Sequence, residues 1–144
     1  MNLLLRKASV SWKGGAKGGV RKAVAGSGGL KLAKSAADSP LSNDSDTVRA
    51  ESIAAAHASS FSLALSNELG LKVGAAGQIV TTATATMEHH ATGWALKNIH
   101  LNVVARLPKV TQGAFIDAAV RAKTSCLVSR LLHANITMNA KLET

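Results

Sequence analysis

The residues able to do nucleophilic or acid–base chemistry fall in two short runs. The first is Glu51 to Gly70, ESIAAAHASSFSLALSNELG, with His57 three residues before Ser60. The second is Ala122 to Leu132, AKTSCLVSRLL, which holds the chain's one cysteine, Cys126. Residues three apart on a helix are neighbours, so Ser60, His57 and Glu51 supply the residue types of a Ser-His-acid hydrolase. No G-x-S-x-G elbow frames Ser60, and that elbow is what presents a hydrolase serine to substrate. A helical serine beside a histidine then reads as a packed polar pair. Cys126 has two readings. A buried cysteine behaves as a small hydrophobe, whereas a thiol at a helix start ionises more readily and reacts with peroxides.

Other chemistries lack their residues. His89 and His90 are adjacent in a predicted turn and point apart, and there is no Cys/His cluster at metal-ligand spacing, so neither metal nor cofactor is expected. Gly14-Gly15 and Gly28-Gly29 lie between predicted strands rather than before a helix, which is the wrong context for a phosphate loop.

The elements that must position these residues follow an α+β order. Residues 4–12 alternate apolar and polar side chains and read as a strand. Residues 20–25 and 30–32 read as two more, so 1–34 is an N-terminal β region. A polar loop, 35–47, ends at Asp46 or Thr47 as a helix cap. From 49 to 69 the helix is apolar nearly all round, the mark of a buried helix, and Gly70 suits its C-cap. Residues 79–107 form an antiparallel hairpin with a turn at 88–93; Ile99, Leu101, Val103, Ala105 and Leu107 share one face. Helices span 111–133, with Phe115, Ala119 and Val120 on one stripe and Val128, Leu131 and Leu132 facing in. A strand at 135–142 turns Ile136, Met138, Ala140 and Leu142 inward.

At 144 residues the chain is one domain, 1–144. Hydrophobic residues make up 47% and aromatics 3%, so the core is built from small aliphatic side chains. Such a core buries little area, and dimerisation is one remedy. A lone cysteine forms no internal disulfide, which fits a reducing cytosol and hence a cytoplasmic location. No apolar run approaches the roughly 20 residues of a membrane span. The net charge is +9, and the first 37 residues hold Arg6, Lys7, Lys13, Lys17, Arg21, Lys22, Lys31 and Lys34 with no acid. That cluster has the charge of a binder of nucleic acid or an acidic partner. It lacks the aromatic stacking set of such a surface, so it reads as a solvated face.

The run Ala54 to Ser66, AAAHASSFSLALS, resembles the central helix of the OsmC/Ohr family, the osmotically inducible and organic-hydroperoxide-resistance proteins. There the pattern is A-A-H-A-x-C-F-S-M-A-L-S, and Ser60 occupies the place of the peroxidatic cysteine. The family's second motif, A-K-x-x-C-P-V-S, matches Ala122 to Ser129 and puts Cys126 at the resolving position. WALKNIHL at 94–101 and NITMNAKL at 135–142 are similar to the family's hairpin and last strand. The likeness covers roughly 5–142.

The resemblance implies an α+β fold in which two chains intertwine as a homodimer, with central helices buried against antiparallel sheets and active sites at the interface. It implies peroxidase chemistry of the oxidative and osmotic stress response. A thiolate attacks an organic hydroperoxide, the second cysteine closes a disulfide, and a dithiol, often a lipoylated protein, reopens it. A serine has no sulfenic step and no disulfide exit, so Ser60 cannot run this cycle. The family's supporting acid falls on Ala50, with Glu51 one place along. The loop 35–46 that should supply an arginine has none, leaving Arg49 as a substitute from another direction. The proline after the second cysteine is Leu127. These changes accompany Ser60, which points to natural loss of the site. The alternatives are a non-catalytic dimer holding a hydrophobic small molecule in its interface pocket, and the basic-surface binder above.

Overall fold

The computed structural model describes residues 3–13, 20–25, 46–70 and 77–143. The elements are β1 (Leu3–Lys13), β2 (Val20–Ala25), α1 (Asp46–Glu68), β3 (Gln78–His90), β4 (Gly93–Arg106), α2 (Gln112–Ser125), α3 (Leu127–Leu131) and β5 (Asn135–Glu143). The strand expected at 30–32, the loop at 35–45 and the glycine turns at 14–19 and 28–29 lie outside the described residues.

The strands form one sheet in the order β2-β1-β3-β4-β5. Three pairings are antiparallel, including the predicted β3–β4 hairpin. The fourth corrects the expectation of purely antiparallel sheets: β5 joins β4 in parallel, Ile99 opposite Ile136 and Leu101 opposite Met138. The two helices between them return the chain to the end of the sheet where β4 began, as a parallel pairing requires. The predicted turn at 88–93 is also shorter. Pairing continues to His90 opposite Gly93 across a bulge at Thr86/Met87, and His89 packs on Trp94 with ring centroids 4.8 Å apart.

Period-two alternation decides the sheet's inner face. Ala8 and Val10 of β1, Ile79, Thr81, Ala83 and Ala85 of β3, and Ile99, Leu101, Val103 and Ala105 of β4 are buried. Helix α1 lies on this face and inserts Ala54, Ala58, Phe61 and Leu65. Small alanines on both layers let helix and sheet approach closely, and Phe61 fills what they leave. The helix starts at Asp46, the first of the two residues predicted to cap it. It ends at Glu68, and Gly70 closes it with a left-handed φ of 66°. It is not dry all round: Ala56, Leu63 and Asn67 are exposed on the side away from the sheet.

Helix α2 is capped by Thr111, whose hydroxyl accepts from the Ala114 N–H at 3.2 Å. Its buried stripe is Phe115, Ala118, Ala119 and Ala122, the i, i+3, i+4, i+7 pattern of one helix face. Val120, expected in that stripe, is 54% exposed, and Leu131 of α3, expected to face in, is 65% exposed. Val128 and Leu132 pack against the core as expected.

Candidate functional site

Helix α1 and the α2–α3 junction meet edge to edge, and each brings a pair of polar residues three apart. From α1 come His57 and Ser60; from the junction come Cys126 and Ser129. Cys126 is the hinge itself. Its N–H donates to the Ala122 carbonyl at 2.8 Å, closing α2, and its carbonyl accepts from the Arg130 N–H at 3.1 Å, opening α3. Its ψ of 125° breaks the helix between those bonds. A proline at the next position would suit the start of a helix; Leu127 makes the same turn without one.

The two pairs interlock. The Cys126 thiol donates to the Ser60 hydroxyl with Sγ to Oγ 3.3 Å. The His57 Nε2 and the Ser129 hydroxyl lie 2.7 Å apart. Cys126 and His57 are buried, while Ser60 and Ser129 are half-buried. The thiol pKa is lowered from an ordinary 9.0 to about 6. Burial is the largest single influence and pushes it up. Hydrogen bonds with His57, with Ser60, and with the backbone and side chain of Ser129 together outweigh burial and favour the thiolate. The lowering therefore comes from fixed hydrogen bonds, where sequence reasoning had looked to the helix start.

The predicted site residues separate into two groups. Ser60 and Cys126 come together. Glu51 does not join them: it is buried, 1% exposed, and nine residues before Ser60 places it about 180° around the helix axis. Arg49 starts about three turns before Ser60, and its side chain lies outside the described residues. The Ser-His-acid arrangement does not assemble. His57 turns Nε2 to Ser129, and its Nδ1 has no hydrogen-bond partner among the described residues, so none of their carboxylates orients the ring.

Ser129 was not singled out by sequence reasoning. The available signal was the repeated spacing, since His57–Ser60 and Cys126–Ser129 are both i, i+3 pairs that could face each other. Ser62, whose burial demanded a partner, finds one in Thr81 at 2.8 Å. Ser66 is buried and its hydroxyl has none among the described residues.

Nothing else among the described residues gathers comparable chemistry. They contain no cluster of three or more metal-ligating side chains. A cleft of about 420 Å³ between Arg106, Leu107, Pro108, Val110, Leu142 and Glu143 is lined by none of the four clustered residues. Of the basic residues at 6–34, only the side chain of Lys7 is described, and it is exposed. No described helix is long and apolar enough to cross a membrane.

Comparison with known proteins bears on this cluster. The family model for OsmC-like protein matches residues 50–141, which includes both Ser60 and Cys126. Peroxiredoxin OsmC of Escherichia coli strain K12 is 30% identical over 138 residues, covering 96% of each chain, and its counterpart in Shigella flexneri matches equally. Two crystal structures are similar in outline. They are the organic hydroperoxide resistance protein OhrB of Bacillus subtilis (14% identity, 99% and 98% coverage, TM-score 0.46) and an organic hydroperoxide resistance protein OsmC of Legionella pneumophila (15%, 94% and 96%, 0.47). The family model spans well over half the residues and the sequence relatives align along nearly the whole length, so this chain belongs to the OsmC-like family.

Proposed function

We propose that this chain is a stress-response member of its family, related to thiol-dependent organic hydroperoxide reductases, whose two-thiol cycle is disabled at Ser60. One observation carries the reading: Ser60 Oγ lies 3.3 Å from Cys126 Sγ, a hydroxyl where disulfide chemistry needs a second sulfur. The names of the sequence relatives, both peroxiredoxins, support the ancestry. In this reading Ser60 holds the peroxidatic position and Cys126 the resolving one, while Glu51 and Arg49 take no catalytic part.

A serine hydroxyl is too weak an acid to stand as an anion at neutral pH and cannot pass an oxygen through a sulfenic acid. The cycle would need an organic hydroperoxide as oxidant and a dithiol, such as a lipoylated protein, as reductant. The chain acts as a homodimer in the cytoplasm. Support for the dimer is apolar surface left open in the single chain: Ala56 and Leu63 of α1 and Leu127 and Leu131 of α3 are exposed. The same apolar surface supports the second reading, an interface pocket that retains a hydrophobic small molecule without turning it over.

The test is consumption of a bulky organic hydroperoxide, cumene hydroperoxide, by the wild-type chain with a dithiol reductant. The expected rate equals that of the dithiol blank. Rapid multiple turnover overturns the reading.

A further inference from the structure

Loss of one sulfur from a two-sulfur site does not leave the other inert. What remains is four side chains, each with a defined partner and each positioned by a helix. Cys126 donates to Ser60, His57 reaches Ser129, and hydrogen bonds from His57, Ser60 and Ser129 all favour the thiolate. His57 adds an independent observation. It is buried, it stands in the cluster through Nε2, and its Nδ1 has no hydrogen-bond partner among the described residues. A buried imidazole with a vacant nitrogen is rarely left so without use, and a proton relay is a use that suits it.

Access sets the second constraint. Cys126 is 1% exposed, while Ser60, hydrogen-bonded to it, and Ser129 are half-buried. So little exposure favours a reagent the size of hydrogen peroxide or a short alkyl hydroperoxide over an aryl one.

We propose that the Cys126–His57–Ser60–Ser129 cluster is a one-thiol site for small hydroperoxides, with His57 as its proton acceptor and donor and a Cys126 sulfenic acid as its product. The inference rests on the reading that Ser60 has ended the two-thiol cycle, since with no second sulfur beside it the sulfenic acid persists. In the step, the thiol proton passes to His57 and the thiolate sulfur attacks one peroxide oxygen. The O–O bond breaks, and the leaving hydroxide or alkoxide recovers the proton from His57. Sulfur is oxidised by two electrons and the peroxide is reduced to water or alcohol. Return to the thiol takes two equivalents of a low-molecular-weight monothiol: the first releases water and forms a mixed disulfide, and the second is released with the first as an external disulfide.

The experiment is stoichiometric rather than catalytic. Wild-type protein, free of reductant, is treated with one equivalent of peroxide, quenched into denaturant containing a cyclic diketone that traps sulfenic acids, and weighed intact. With hydrogen peroxide or ethyl hydroperoxide, the expected result is one adduct per chain. It forms at least tenfold faster than with cumene hydroperoxide, and faster than in the same chain pre-unfolded at neutral pH. The pH–rate profile should have its midpoint near 6. His57→Gln should slow the reaction and move that midpoint upward. If His57→Gln does not fold, Ser129→Ala should move it in the same direction. A native thiol no faster than the unfolded one overturns the proposal, as does equal reaction with small and bulky peroxides, or a midpoint unmoved by both variants. An inert Cys126 would sink this proposal and leave the serine reading standing, whereas dithiol-driven turnover of cumene hydroperoxide by the wild type would sink the serine reading itself.

Discussion

Restoring sulfur at position 60 tests the site's geometry without reference to activity. Ser60 Oγ and Cys126 Sγ are 3.3 Å apart, and a disulfide needs about 2.05 Å. The shortfall is about 1.3 Å on that figure, and the longer C–S bond of Ser60→Cys closes part of it. Both positions are on helix ends or faces already in contact, so small rotamer and backbone adjustments supply the rest. The bridge would span 66 residues of sequence. Loop-closure entropy then predicts that the oxidised variant gains about 4 kcal/mol over its own reduced form, as an upper figure. Chemical denaturation of the oxidised and reduced variant, with free thiols counted before and after oxidation, measures this. The expected outcome is loss of both thiols within one chain and a higher denaturation midpoint on oxidation. Two free thiols that survive mild oxidation, or an oxidised form less stable than the reduced one, would mean that the two side chains do not face each other as described.

Two further outcomes follow from packing and ionisation. The thiol of Cys126 is lowered in the folded state, so its contribution is present at pH values above the unfolded thiol's and lost as pH falls through about 6. Measured against Cys126→Ala, wild-type stability should therefore rise between about pH 6 and 9, by at most about 4 kcal/mol; a pH-independent difference would refute the hydrogen-bonded thiolate. Gly77, just before β3, has a φ of 124°, and a Cβ there would collide with the Arg106 carbonyl and lie 2.9 Å from Leu107 Cδ2. Gly77→Ala should cost about 2 kcal/mol or more in the same denaturation assay, and a neutral result would show that the backbone is free to rearrange there.

Local patterns carried most of the fold because they agree with tertiary placement. The alternation of β4 fixed Ile99, Leu101, Val103 and Ala105 as one face, and all four are buried. Where a residue's environment depends on a distant element, local pattern was insufficient. Val120 is apolar at helical spacing yet looks outward, because the sheet and α1 meet α2 along Phe115, Ala118, Ala119 and Ala122 instead. The parallel direction of β5 likewise depends on how two short helices turn the chain, and no residue in β5 encodes it. At the site, the motifs identified Ser60 and Cys126 but not what lowers the thiol pKa. Besides Ser60 itself, that property belongs to His57 and Ser129, two residues that are 72 apart in sequence and 2.7 Å apart in the fold.

The measurement that bears most directly on the central claim is a gain of function. Dithiol-dependent consumption of cumene hydroperoxide should be absent in the wild type, present in Ser60→Cys, and lost again when Cys126→Ala is added to that variant. Equal rates in the wild type and Ser60→Cys, with no cross-link between positions 60 and 126 after peroxide treatment, would contradict the pairing of these two residues as the site.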